Sequence, residues 1–141
     1  MDTSPAPAMA NPAPIHVLIV DDEPLTCWSI AETLGERGDV VTEAKSGAAA
    51  LSALANPSEP VDVVLLDYRL PDSSDLGLLA TVKRLAPRCP VILMTAHGTP
   101  EITGEALALG AYCVVGKPFE LPDVAALVHE AHEAHLHAAP G

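Results

Sequence analysis

The chain has 141 residues, the size of one domain, and 49% of them are hydrophobic, a fraction that excludes disorder throughout the chain. Only 3% are aromatic, so the core must be built from aliphatic side chains. With 19 acidic and 7 basic residues the formal net charge is −12, which argues against direct binding to nucleic acid or to anionic membranes.

The two ends of the chain differ in composition from the rest. Residues 1–14 contain four prolines and no Val, Ile, Leu or aromatic side chain, which predicts a disordered or extended tail. A flexible tail is also predicted at 138–141, which leaves one domain at 15–137. The uncharged stretch 3–20 has no basic segment, which excludes a signal peptide or a spanning helix. Three cysteines without zinc-type spacing favour a reducing, cytoplasmic location.

From residue 15 onward, short apolar runs alternate with segments of helical periodicity. The runs predict strands at residues 15–20, 39–44, 61–66, 91–94 and 111–115, and the polar second run suits an edge strand. Helices are predicted at residues 24–36, 46–55, 75–86, 100–109 and 121–137. In the first helix, Leu25, Trp28 and Leu34 form the expected apolar stripe. Five β-α units predict an α/β fold with a parallel sheet covered by helices on both faces.

Polar side chains follow the predicted strands at the edge where such sheets bind ligands. Asp21 and Asp22 follow the first strand and Asp67 follows the third. Thr95 follows the fourth strand, and Lys117 comes after the fifth. Because these ends meet at one edge of a parallel sheet, we expect the five side chains to lie together.

Each of these side chains also has a structural explanation, since an aspartate after a strand often caps the next helix. Asp22, two residues before Pro24, fits that interpretation. Clustered carboxylates, however, repel one another, and a bound divalent cation is the natural compensation. A carboxylate can attack phosphorus to give an acyl phosphate, while Mg²⁺, a lysine and a hydroxyl neutralise the moving group. The cluster therefore favours phosphoryl transfer.

Five stretches carry a resemblance to a known family: HVLIVDDEP at 16–24, TEAKSGAAAL at 42–51, VDVVLLDYRLPDSS at 61–74, PVILMTAHG at 90–98 and GAYCVVGKPF at 110–119. In order and spacing they resemble the receiver domain of a bacterial two-component response regulator, and DYRLPD resembles receivers of the nitrogen-regulation type. The resemblance implies a flavodoxin-like fold with strand order 2-1-3-4-5 and five helices on two faces. It also implies a phosphoprotein rather than an enzyme, one that promotes its own phosphorylation and dephosphorylation.

The resemblance assigns roles to the residues at the strand ends. Asp67 matches the phosphoacceptor, which receives its phosphoryl group from a sensor histidine kinase. Asp21 and Asp22 match the acidic pair that holds Mg²⁺ together with Asp67, and Asp22 is the more direct ligand. The backbone carbonyl of Arg69 matches the family's remaining protein ligand.

Further positions match groups around the phosphoryl site. Thr95 matches the hydroxyl that engages the phosphoryl group, and Lys117 matches the lysine that pairs with it, followed by a cis peptide bond to Pro118. The side chains of Arg69 and His97 occupy variable positions that modulate acyl-phosphate lifetime, although solvent exposure is an equally good explanation of each.

Several positions depart from the family pattern and concern the output switch. Val114 stands where the family has an aromatic side chain that turns inward when Thr95 moves. Tyr112, two residues earlier, is expected on the same side of the strand. Asp75 replaces a glycine and is expected to cap the third helix. Because valine has little volume to move, we expect activation to act mainly through residues 96–109, with Tyr112 as the alternative switch.

The family's usual output surface is formed by the fourth helix, fifth strand and fifth helix, roughly residues 100–137, and the resemblance implies a homodimer or partner contact there. A phosphatase of the haloacid dehalogenase type is the alternative enzyme, but it needs a second aspartate where Arg69 stands. A dimerisation module without phosphorylation is a third hypothesis. The histidines near the carboxyl end suggest either a chelating site or a solvated helix end: His129, His132, His135 and His137.

Overall fold

The computed structural model describes residues 14–73 and 75–137. In chain order the elements are β1 (His16–Val20), α1 (Pro24–Glu36), β2 (Val40–Ala44), α2 (Gly47–Leu54), β3 (Val63–Asp67), α3 (Gly77–Leu85), β4 (Val91–Thr95), α4 (Pro100–Ala108), β5 (Cys113–Gly116) and α5 (Leu121–His137). Their boundaries differ from the predicted ones by no more than two residues. The predicted tails lie outside the described residues, except for Pro14.

The five strands form one parallel sheet in the order β2-β1-β3-β4-β5, which confirms the expected fold class. The register brings the strand ends together, because Val20 lies level with both Ala44 and Leu66. Further along the sheet, Thr95 lies level with Gly116. The residues that follow β1, β3, β4 and β5 therefore share one edge of the sheet.

The core lies on both faces of this sheet, which explains why the strands do not alternate between apolar and polar residues. One set of strand residues packs against α1 and α5: Val17, Ile19, Val63, Leu65, Ile92 and Met94. Their neighbours along the strands pack against α2, α3 and α4: Leu18, Val20, Val64, Leu66, Val91 and Leu93. The central strands β3 and β4 are buried along their whole length, so the polar residues at their ends are held on a rigid support.

The predicted apolar stripe of α1 is wrong in two of its three members. Leu25 is 73% exposed and Trp28 is 59% exposed, whereas Leu34 is buried together with Cys27 and Ile30. A helix turns by about 100° per residue, which places Leu34 about 180° from Leu25. The three residues therefore cannot share one face, and the spacing 27, 30, 34 defines the side that packs on the sheet.

Glycines with positive φ follow the ends of α1 and α4. Gly38 follows α1 with φ 91° and Gly110 follows α4 with φ 108°, values that residues with a Cβ rarely adopt. Gly35 lies within α1. No helix within 14–73 and 75–137 combines the length and the apolar character needed to cross a bilayer.

The two sides of α1 provide a test of this packing. Leu34→Ala is expected to lower the free energy of unfolding by about 2–5 kcal/mol, because it leaves a cavity beneath the sheet. The same substitution at exposed Leu25 is expected to change it by less than about 0.5 kcal/mol. Urea unfolding followed by circular dichroism measures both. Equal losses in the two variants would contradict the orientation of α1.

Candidate functional site

Two of the predicted carboxylates, Asp21 and Asp67, meet the ammonium group of Lys117 at the carboxyl end of the sheet. Lys117 Nζ lies 2.8 Å from Asp21 Oδ2 and 3.3 Å from Asp67 Oδ2. The backbone of Lys117 is fixed to the neighbouring strand, because its N–H donates to the carbonyl of Thr95 at 2.8 Å. The peptide bond from Lys117 to Pro118 is cis, as the resemblance implied. Asp22 lies beside this group and is exposed.

Glu23 is a further member of the site that the sequence analysis did not single out. Its Oε1 lies 3.3 Å from Lys117 Nζ, although its side chain is 63% exposed. The signal was present in the DDE run after β1, but a third acidic residue there is also what a solvated helix start would show. Glu23 is the N-cap residue of α1 but makes no side-chain cap, and its Oε1 also accepts a hydrogen bond from Thr26 Oγ1 at 3.4 Å.

Asp21 is the most enclosed of the acidic side chains and is fully buried. Its Oδ1 accepts a hydrogen bond from the Glu23 N–H at 2.9 Å, and its Oδ2 accepts one from the Lys117 ammonium at 2.8 Å. Its backbone N–H donates to Ala44 O at 3.0 Å, and its carbonyl accepts from the Cys27 thiol at 3.2 Å. These contacts fix Asp21 in one orientation.

The negative charge of the Asp67 carboxylate is less well compensated by its surroundings than that of Asp21. Burial and the negative charge of Asp21 raise the pKa of Asp67 to about 6, although Lys117 and the Arg69 N–H at 3.3 Å from Oδ1 act in the opposite direction. For Lys117, burial disfavours the charged ammonium, but the hydrogen bond to Asp21 and the attraction of Asp67 outweigh it and raise its pKa. The ammonium therefore stays charged at neutral pH, and Asp67 carries an ionised carboxylate that the fold only partly stabilises.

The acidic side chains form a cluster that could hold a cation. Asp21, Asp22 and Asp67 each offer a carboxylate oxygen, and these oxygens lie within 4.8 Å of one another. Within 14–73 and 75–137 this is the only group of three or more acidic, cysteine or histidine ligands so arranged. Oxygen donors of this kind fit Mg²⁺ or Ca²⁺, and the repulsion among them supplies a driving force for binding.

The histidines of α5 do not form a comparable metal site among the described residues. Instead, His129 Nε2 lies 2.6 Å from Oδ2 of Asp39, a buried carboxylate whose Oδ1 accepts from the Ile15 N–H at 3.1 Å. His129 thus ties α5 to the start of β1, which is a structural role.

A cavity of about 360 Å³ opens beside Asp67 and is lined by Asp22, Glu23, Tyr68, Arg69, Leu70, Pro71, Ala96 and Lys117. The side chain of Arg69 is exposed at this cavity. His97 is exposed as well, and its backbone N–H, not its imidazole, makes the contact with Thr95. The cavity gives a small anion access to the carboxylate of Asp67 and to the cationic group beside it.

Thr95 stands at the end of β4 with its hydroxyl available for donation. Its Oγ1 accepts a hydrogen bond from the His97 N–H at 3.2 Å, which leaves the hydroxyl hydrogen free. A Cβ at Gly98 would lie 3.1 Å from the Thr95 methyl group, so a side chain there would require a shift of a few tenths of an ångström. Thr95 is buried, and its backbone carbonyl accepts from the Lys117 N–H.

The expectation that Tyr112 shares a side with Val114 is wrong. Tyr112 packs with the cluster that faces α1 and α5, and its hydroxyl donates to Glu130 Oε1 at 3.4 Å. Val114 packs with the opposite cluster, towards α2, α3 and α4. The alternation of side chains applies only within a strand, and β5 begins at Cys113, after Tyr112.

Asp75 was expected to cap the third helix. Its Oδ1 accepts a hydrogen bond from the N–H of Gly77, the first residue of α3, at 2.8 Å, but Asp75 lies one position before the N-cap residue, Leu76.

Comparison with known proteins agrees with this geometry. Residues 17–129 match the family model described as response regulator receiver domain. The chain is 37% identical over 115 residues to the DNA-binding transcriptional regulator NtrC of Escherichia coli (strain K12), and 38% identical over 121 residues to a putative NtrX-like response regulator of Rickettsia bellii. These alignments cover 82% and 84% of the chain but only 24% and 25% of the relatives, so the chain spans about a quarter of their length.

Solved structures show the same fold. A CheY-like response regulator receiver domain protein from Methanospirillum hungatei JF-1 superposes with a TM-score of 0.82 at 26% identity, over 88% of this chain and 98% of that one.

The raised pKa of Asp67, which already includes the attraction of Lys117, predicts that Asp67→Asn stabilises the metal-free protein at neutral pH by roughly 1–3 kcal/mol. The folded-state pKa is about 6 against an ordinary value of 3.8, so ionisation of Asp67 costs stability as pH rises through this window. The gain should therefore shrink as pH falls below 6. Urea unfolding in EDTA at about pH 8 and about pH 5 measures it. A gain that is equal at both pH values would contradict the assignment.

Proposed function

This chain belongs to the response regulator receiver domain family of two-component systems, and from that membership we propose that it accepts a phosphoryl group on the side chain of Asp67. The observation that carries the proposal is the position of Asp67 between Lys117 and the acidic pair, beside an open cavity. A carboxylate oxygen of Asp67 would form a bond to phosphorus while the bond from phosphorus to the donor breaks, giving an acyl phosphate.

The oxygen donors of the acidic cluster fit Mg²⁺, and we propose that Asp21, Asp22, Asp67 and the backbone carbonyl of Arg69 hold it. When bound, Mg²⁺ supplies positive charge to the oxygens of the phosphoryl group. Asp22 is exposed and is not used in the ion pairs of Lys117, so it is free to serve as the more direct ligand.

Lys117 and Thr95 complete the environment of the transferred group. In the structure the Lys117 ammonium is shared between Asp21, Glu23 and Asp67, so it is already at the position where new negative charge would develop. The free hydroxyl hydrogen of Thr95 can be donated to a phosphoryl oxygen. Arg69 at the cavity and His97 beside Thr95 are placed to modulate the lifetime of the acyl phosphate.

The proposed phosphoryl donor is a sensor histidine kinase. The domain would promote its own phosphorylation and the later hydrolysis of the acyl phosphate, without being an enzyme that acts on other molecules. The receiver family favours this function over the haloacid dehalogenase alternative, and Arg69 replaces the second aspartate which that reaction needs.

We further propose self-association through α4, β5 and α5. Leu107 and Leu109 at the end of α4 are exposed and would be available to such a contact.

Incubation with acetyl phosphate and Mg²⁺ is expected to add one phosphoryl group to the protein, and Asp67→Asn is expected to abolish the labelling. Asp75→Asn, a matched change of a carboxylate outside the cluster, should leave labelling unchanged. Intact-protein mass spectrometry measures the addition, and EDTA should prevent it. Labelling that persists in Asp67→Asn would contradict the proposed acceptor.

The output is proposed to pass through the loop and helix at 96–109 and not through an aromatic switch on β5. Val114 is stiff at χ1 and small, and Tyr112 faces α5. Tyr112→Ala, which removes the aromatic ring, is therefore expected to keep any beryllofluoride-induced self-association, whereas Leu107→Ala, on the proposed surface, should weaken it. Sedimentation velocity with and without beryllofluoride measures both. Loss of the response in Tyr112→Ala, with labelling at Asp67 intact, would assign the switch to Tyr112.

A further inference from the structure

The side chain of Asp72 connects the loop that follows Asp67 to the start of α2. Asp72 Oδ1 accepts a hydrogen bond from the Gly47 N–H at 2.8 Å, and Oδ2 accepts from the Ala48 N–H at 3.1 Å. Both oxygens of one carboxylate thus bind the first two amides of a helix that lies 24 or 25 residues away in the chain. The two hydrogen bonds lower the pKa of Asp72, so the carboxylate is ionised at neutral pH.

This contact is additional to the ordinary N-cap of α2. Ser46 is the N-cap residue, and its side-chain oxygen accepts from the Ala49 N–H at 3.1 Å. The first helical amides at Gly47 and Ala48 would otherwise lack an intrahelical partner. An ionised carboxylate is also the favoured charge at a helix N-terminus. Asp72 therefore completes a set of amides that Ser46 satisfies only in part.

The absence of a side chain at Gly47 allows the Asp72 carboxylate to come close to the start of α2. A Cβ at position 47 would lie 3.3 Å from Asp72 Oδ1 and 3.2 Å from Leu78 Cδ2. Glycine thus leaves room for the carboxylate between α2 and the start of α3.

The segment between Asp67 and Asp72 is held at both ends. At one end the Arg69 N–H donates to Asp67 Oδ1 at 3.3 Å. Beyond it, Leu70 and Ser73 exchange two backbone hydrogen bonds, of 2.7 and 3.2 Å, and Leu70 is buried. The backbone at Arg69 therefore lies between the strand that carries Asp67 and this closed turn, which Asp72 connects to α2.

We propose that Asp72 is a positioning residue, which fixes the Arg69 carbonyl for cation binding and links the acidic site to the start of α2. The proposal rests on the proposed function, since it concerns the Mg²⁺ that the acidic cluster is proposed to hold. As a consequence, Mg²⁺ binding at the acidic cluster would change the surroundings of the Gly47 and Ala48 amides, on the face of the sheet that carries α2, α3 and α4.

The test compares two substitutions that both weaken the start of α2. Asp72→Ala removes the link to the loop, whereas Ser46→Ala removes the N-cap and leaves the loop contact in place. Both are expected to lower the melting temperature. Only Asp72→Ala is expected to weaken Mg²⁺ binding, by about tenfold, the lower end of the effect of groups that orient metal ligands. Isothermal titration with Mg²⁺ measures the affinity, and Asp22→Asn serves as the reference for a lost ligand.

A second measurement follows the backbone amides by NMR. Mg²⁺ is expected to shift the Gly47 and Ala48 signals in the unmodified protein and in Ser46→Ala, and to leave them unshifted in Asp72→Ala. Asp72→Asn, which keeps one acceptor oxygen, should bind Mg²⁺ with intermediate affinity.

Unchanged Mg²⁺ affinity in Asp72→Ala would overturn the inference, as would equal weakening in Ser46→Ala, which would show a general effect of helix stability. Absence of Mg²⁺ binding by the unmodified protein would overturn the magnesium proposal and this inference together. Phosphoryl labelling of Asp67 in the unmodified protein would distinguish that case from failure of the acceptor assignment.

Discussion

The contact of the Lys117 ammonium with buried carboxylates is the interaction on which the site depends. Asp21 and Asp67 are both buried at the end of the sheet, and two such charges without a cation would repel each other in a medium that screens poorly. Lys117 reaches them from the end of β5, at 2.8 and 3.3 Å. Compensation is incomplete, because the pKa of Asp67 stays raised to about 6. This residual excess of negative charge suits the site to receive a cation.

The topology of the sheet explains why a single lysine can contact both Asp21 and Asp67. Parallel strands place all their carboxyl ends at one edge, and the order β2-β1-β3-β4-β5 puts the ends of β1 and β3 side by side. Because β3 and β4 are buried along their whole length, the residues at their ends move little relative to one another. Short loops then add the remaining groups, including the Arg69 backbone and Glu23, without a second domain among the described residues.

The site was predictable where a polar residue ends an apolar strand. Asp21, Asp67 and Thr95 carry that signal, and all three lie where the strand pattern places them. For Glu23 the DDE run was a weak signal and for Asp72 there was none, since an exposed acid near a helix start or in a turn is common. Tyr112 and the stripe of α1 were misjudged because a regular period was extended to residues where it does not apply: Tyr112 precedes its strand, and Leu25 lies across the helix from Leu34.

The sequence by itself determined the class of fold, the order of the elements and the identity of the residues at the strand ends, because apolar runs and helical periodicity are local properties of the chain. The tertiary structure decided which groups meet. The pairing of Lys117 with Asp21 spans 96 residues, and that of Asp72 with Gly47 spans 25. Such contacts depend on strand order, register and loop path, which are set by the packing of the whole core, so no local pattern records them.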